Sequence, residues 1–163
     1  MNSQNTQPTW EQELANRLPL FGHRNWIVVA DSAYPAQSKP GIETIAAGGD
    51  HIEAVKTVLK RIGASTHVRA NIYVDRELDS VAENDAPGIN QCREQLFALL
   101  EGANVLPLMH EEIIAKLDAC AQVFRILIIK TDLALPYTSV FFELDCGYWS
   151  AEAEERLRKA MQK

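Results

Sequence analysis

Apolar residues recur along this chain at two different spacings, and the alternation between them predicts a layered α/β protein. Trp26-Ile27-Val28-Val29-Ala30 is an unbroken apolar run, the length of a strand buried on both faces. Residues 66–74 alternate well enough for a second strand, and 105–108 predict a short third one. Residues 124–129 are the most strand-like stretch, and 139–144 continue the sheet after a Pro136-Tyr137 turn. Between these runs the spacing becomes helical. Residues 9–20 place Trp10, Leu14 and Leu18 on one face, with Thr9 as N-cap and Pro19 as a stop. Residues 42–63 read as a helix interrupted near Gly48-Gly49, its second part carried by Ile52, Val55, Val58, Leu59 and Ile62. Helices are also predicted over 89–100, with Gly102 as C-cap, and over 110–121. Residues 33–41 and 79–88 are turn-rich loops, and 151–163 form a charged helix whose Leu157 and Met161 make a thin apolar stripe. Strands interleaved with helices predict α/β layers with a mixed sheet. No repeat or compositional break divides the chain, so a single domain over 1–163 is expected, with an additional helix at about 151–163.

Composition narrows the function classes. A chain of 163 residues buries an ordinary core without staples, and 47% hydrophobic with 23% charged residues suits a soluble globular protein. The net charge of −6, with no basic cluster longer than Arg156, Arg158 and Lys159, argues against nucleic acid, whose binding rests on neutralising phosphates. Residues 1–12 are polar without a basic start or apolar core, and no apolar run approaches the roughly 20 residues of a membrane span, so a cytoplasmic protein is expected. Cys92, Cys120 and Cys146 are widely spaced in mostly apolar surroundings and read as buried free thiols; no closely paired ligands suggest zinc.

Glycine-rich phosphate loops, a nucleophile elbow and His-Glu-x-x-His are all missing. What remains is histidine, carboxylate and tyrosine at the ends of strands. His51, at a helix start, and His67, beside a strand, read as surface or structural residues. His23 and His110 fall at junctions between elements, where α/β folds tend to place functional groups. Histidine donates and accepts protons near neutrality, which makes these two the acid–base candidates. Asp31 ends the first strand, as either a turn cap or a ligand, and Tyr137 sits in a turn as either a packed aromatic or a site residue. Glu111-Glu112 opens a helix, where the macrodipole favours carboxylates. His23 and Asp31 flank a straight strand, about 25 Å apart at ~3.3 Å per residue. Sharing a substrate would require a sharp bend or a second subunit.

In order, Gly22-His23, Val28-Val29-Ala30-Asp31, Pro35, Ile42-Glu43, His110-Glu111 and Pro136-Tyr137-Thr138-Ser139-Val140 resemble the D-ribose pyranase and L-fucose mutarotase family, over about residues 9–147. The resemblance implies a three-layer α/β/α fold with a mixed central sheet. It also implies an isomerase that interconverts ring forms or anomers of a free monosaccharide without a cofactor or metal. Its members form ring-shaped homo-oligomers, commonly decamers, with sites between subunits. By position, His23 matches the catalytic proton donor, and Asp31, His110, Tyr137, Thr138 and Ser139 match substrate ligands. Three features depart from the pattern. Ser139 replaces an asparagine, Lys130-Thr131-Asp132-Leu133 replaces Arg-Ser/Thr-Gly-Glu, and a helix from Ala151 onward extends past the usual end. Two alternatives stay open, a non-catalytic sugar-binding relative and a ring-forming structural or regulatory protein whose extra helix recruits a partner.

Overall fold

The computed structural model describes residues 7–162. Its helices are α1 (Trp10–Arg17), α2 (His51–Gly63), α3 (Ile89–Leu100), α4 (His110–Cys120) and α5 (Ala151–Ala160). Its strands are β1 (Trp26–Ala30), β2 (Ile42–Ala46), β3 (Val68–Asp75), β4 (Val105–Leu108), β5 (Ile126–Lys130) and β6 (Val140–Cys146). They form one six-stranded mixed sheet in the order β2-β5-β1-β6-β3-β4.

Burial explains the composition of β1. All five of its residues are buried, because alternate side chains point to opposite faces and both faces are covered. Ile27 and Val29 join a cluster with Leu14 of α1, Val55 and Val58 of α2 and Leu96 of α3. Trp26, Val28 and Ala30 join Ile113 and Leu117 of α4 on the other face. Helices therefore cover both sides of the sheet, giving the expected three layers. Helix α1 starts as its sequence predicts, with Thr9 accepting from the Gln12 amide in a capping box. It ends in a 3-10 turn, Leu18–Leu20, that contains Pro19.

One expected element is corrected. The first part of 42–63 is a strand, because β2 pairs in parallel with β5, Ile42 opposite Ile126 and Ile45 opposite Ile129. Ile42, Thr44 and Ile45 are β-branched and suit a pleated surface better than a helix. Gly48 and Gly49 then adopt positive φ, +64° and +62°, which ends the strand before Asp50 caps α2. The expected burial of all three thiols is also corrected: Cys92 is buried, whereas Cys120 and Cys146 are partly exposed.

Direction within the sheet positions everything that follows. Strand β6 runs antiparallel to both β1 and β3, while β1, β2 and β5 are parallel to one another and β3 is parallel to β4. One edge of the sheet therefore gathers the C-terminal ends of five strands and the start of β6. The opposite edge gathers the start of β1, the start of β3 and the end of β6.

Candidate active site

At the first edge, Asp31 leaves β1, Asp75 ends β3, His110 opens α4 and the 131–139 loop arrives from β5. They surround a cavity of about 780 Å³ whose lining includes Asp31, Tyr34, Asp75, His110, Glu111 and Tyr137. This is the sheet end where open α/β folds bind ligands, since the loops there diverge.

Each polar group has a defined support. Asp31 accepts hydrogen bonds from the Ser139 hydroxyl at Oδ1 (3.0 Å) and from the Ala33 amide at Oδ2 (3.2 Å). The His110 amide donates to both carboxylate oxygens of Glu77, 3.0 Å each. His110 Nδ1 lies 2.9 Å from Oδ1 of Asp75, and Asp75 is only 2% exposed. Burial raises the pKa of Asp75, opposed by its hydrogen bond and charge attraction with His110 and reinforced by Glu77 and Asp31. With this carboxylate ionised, Nδ1 carries the donated proton, and in the neutral form of the ring the lone pair is then on Nε2. The imidazole meets Tyr137 edge-on, ring centres 5.8 Å apart, and Tyr137 adopts φ +58°. A tyrosine rarely adopts that conformation, so the loop is held by contacts elsewhere.

His51 supplies part of that hold. It is buried, with Nε2 2.7 Å from the Thr138 carbonyl and Nδ1 2.8 Å from the Thr131 hydroxyl. Burial lowers its pKa, opposed by the bond to Thr138 and by Asp31 and Asp50. The neutral ring must donate from Nε2 to a carbonyl, which leaves Nδ1 as an acceptor that shares the single Thr131 hydroxyl proton with the Ala30 carbonyl, 3.0 Å from that hydroxyl. His51 is thus structural, as expected, but it also ties together the two ends of the loop that carries Tyr137.

Tyr34 was not singled out as a site residue, yet it lines the cavity. Its ring is 5% exposed, and its hydroxyl has no hydrogen-bond partner among the described residues. Its pKa is pushed up to about 12, first by burial and then by the charges of Asp75, Asp118 and Asp31. Gln37 is a polar neighbour that opposes the rise without a hydrogen bond of ordinary geometry. Asp75 was equally missed; its one signal was that it closes a strand as Asp31 does.

The expected ligands do not all meet. Asp31, His110 and Tyr137 share the cavity. Thr138 and Ser139 are buried behind its wall: the Thr138 hydroxyl donates to the Leu135 carbonyl, and Ser139 acts on Asp31. His23 lies at the other edge of the sheet, where its Nδ1 meets Oδ1 of Asp145 at 2.9 Å. Arg69, the cross-strand partner of Asp145, donates to Oδ2 at 2.9 Å. Burial acts to raise the pKa of Asp145, but hydrogen bonds from Arg69, the Cys146 amide and His23 outweigh it and the pKa falls. Among the described residues no group of three or more His, Cys, Asp or Glu is arranged to hold a metal ion, and no helix is long and apolar enough to cross a membrane.

A mixed sheet between helical layers with a carboxylate-rich cavity at its strand ends defines an α/β protein with an open cavity at the strand termini. Residues 4–146 match the RbsD / FucU transport protein family, and the chain belongs to that family. It is similar in fold to Bacillus subtilis RbsD, solved with D-ribose, at 18% identity and TM-score 0.59, covering 87% of this chain and 98% of that one. It is also similar to the fucose mutarotase of Streptococcus pneumoniae, solved with L-fucose, at 20% identity and TM-score 0.56, covering 87% and 94%. No curated protein sequence matches the chain.

Proposed function

We propose that the protein is a monosaccharide mutarotase or pyranase that opens and recloses the ring of a free ribose- or fucose-like aldose. The observation that carries this reading is the His110–Asp75 pair set into the cavity beside Asp31 and Tyr34. Family membership and the sugars bound by the two similar structures point to the same ligand class. A cavity of about 780 Å³ lies within the ordinary range for ligand sites, ~300–1,000 Å³.

The chemistry requires two proton movements. One proton reaches the ring oxygen of the sugar while another leaves the anomeric hydroxyl; the C1–O bond breaks and the carbonyl forms. Reclosure on the same or another hydroxyl reverses both transfers. His110 Nε2 is available to a sugar hydroxyl, and Asp75 stabilises the positive charge when Nε2 takes a proton. Asp31 accepts from hydroxyls. The carboxylates Asp31, Asp75, Glu111 and Asp118 in the lining favour an uncharged polyol over a phosphorylated sugar.

His23 is the proposed proton donor to the ring oxygen, reaching the cavity from a neighbouring copy in a ring-shaped oligomer. Its separation from Asp31 along β1 makes that arrangement necessary if both act on one sugar. Saturation-difference NMR across a panel of free aldoses tests the proposal, because it observes ring exchange directly. Accelerated exchange for at least one pentose or 6-deoxyhexose is expected. Binding of such a sugar with no acceleration would support the non-catalytic sugar-binding alternative instead.

A further inference from the structure

We propose that Trp149, with Tyr148 beside it, is an aromatic substrate-positioning wall of the sugar site at the His23 end. The inference rests on the reading that His23 acts on a sugar. Both residues follow the last family-matched position, 146, in the link from β6 to α5. They are well exposed, Tyr148 at 78% and Trp149 at 44%. A second cavity, of about 550 Å³, joins them to His23, Arg69, Asp145 and Glu154.

The indole is held in place. Its Nε1 donates to Glu154 at 2.8 Å, and Arg158 donates to the same carboxylate at 2.7 Å. Its backbone carbonyl accepts from Arg69 at 3.3 Å, and Arg69 also donates to Asp145, which holds His23. One guanidinium therefore braces both the indole backbone and the carboxylate behind the imidazole. Wherever His23 acts, Trp149 accompanies it at a fixed position. With the N–H edge already bonded, the remaining recognition surface of the indole is its ring face. A pyranose presents one face of C–H groups and a rim of hydroxyls. The aromatic face packs against the first, and the surrounding charged groups bond the second. Prior bracing lowers the ordering cost of such contact, and the two carboxylates balance the basic groups, so an uncharged ligand suits the cavity.

The test uses the full chain with free aldoses, D-ribose and L-fucose first. Trp149→Ala should raise KM about five- to tenfold, with kcat within about twofold of wild type. Trp149→Phe should restore most of the affinity, and Tyr148→Ala should have a smaller effect in the same direction. Added sugar should change tryptophan emission in the wild type and not in Trp149→Phe, where Trp10 and Trp26 remain. Unchanged KM in Trp149→Ala, or an emission change that survives in Trp149→Phe, overturns the inference. So does a KM increase that tracks loss of oligomer mass, since Trp149 would then be a subunit contact. Emission change without turnover supports the wall and refutes the isomerase reading. Turnover that requires His23 but ignores Trp149 does the reverse, and sugars that neither bind nor react overturn both.

Discussion

The two sheet edges carry the same chemical pair, a histidine whose Nδ1 meets an aspartate at 2.9 Å, in opposite surroundings. At the cavity edge the His110 side chain is 31% exposed and the Asp75 side chain 1%. At the other edge His23 is 57% exposed and Asp145 28%. The aspartates respond in opposite directions: burial dominates at Asp75 and raises its pKa, whereas hydrogen bonds led by Arg69 prevail at Asp145 and lower it. A histidine–aspartate pair is therefore not one device. In the cavity it is a partly exposed imidazole oriented by a desolvated carboxylate; at the rim it is an open imidazole on an anchored support, suited to meeting something that arrives from outside.

The most severe way to break this comparison is to remove each imidazole. His23→Ala and His110→Ala should each lower ring exchange by about 10²- to 10⁴-fold with the fold retained, measured by saturation-difference NMR and circular dichroism. If one site takes a histidine from each of two copies, mixing the inactive variants under exchange should restore about a quarter of wild-type activity through hybrid sites. No recovery, in an oligomer shown to exchange subunits, would place the two histidines in separate functions.

Replacing the aspartates sharpens the contrast. Asp75→Asn should reduce turnover by roughly 10- to 100-fold, since it orients and charges His110. It should not lose stability at neutral pH. The raised folded pKa means that Asp75 contributes stability below its ordinary value of 3.8, which is lost as pH rises through the folded value. Asp145 has the opposite sign: its contribution is present above 3.8 and is lost as pH falls through its lowered value. Asp145→Asn should thus cost under about 1 kcal/mol at pH 7, because the pair is solvent-screened, and should flatten the acid limb of a stability curve. Urea unfolding of both variants between acid and neutral pH checks these signs.

Two smaller effects concern the cavity wall alone. His51→Ala should destabilise by about 1–3 kcal/mol, because the Thr138 carbonyl loses its buried donor. In the wild type the lowered His51 pKa keeps stability full above 6.5 and erodes it as pH falls through the folded value; that erosion should be reduced in the variant. Ser139→Ala should cost only about 1 kcal/mol and raise KM a few-fold by loosening Asp31, with kcat nearly unchanged. A kcat collapse in Ser139→Ala would mean that the hydroxyl itself touches the reacting sugar.

Most of the fold was legible along the chain because its signals are local. The apolar run of β1, the capped start at Thr9 and the periodic stripes of α2, α3 and α4 all reflect burial that neighbouring residues report. Strand β2 was misread because Ile42, Glu43, Thr44, Ile45 and Ala46 carry no decisive period. Only pairing with β5, more than 80 residues away, satisfies its backbone as a strand. The site divides in the same way. Asp31, His110 and Tyr137 sit at element boundaries that the sequence marks. Asp75, Tyr34 and His51 reach importance through partners from 35 to 87 residues distant or through burial that no local pattern reveals.

By itself, then, the sequence determined which segments bury apolar surface, the residue types available for proton transfer, and the separation of His23 from Asp31 along one straight strand. The tertiary structure alone decided which carboxylate serves which histidine, that Ser139 supports Asp31 rather than lining the cavity, and that Arg69 links His23 to Trp149. The physical reason is that strand direction and long-range register choose these neighbours, and burial then decides whether a carboxylate's pKa rises or falls.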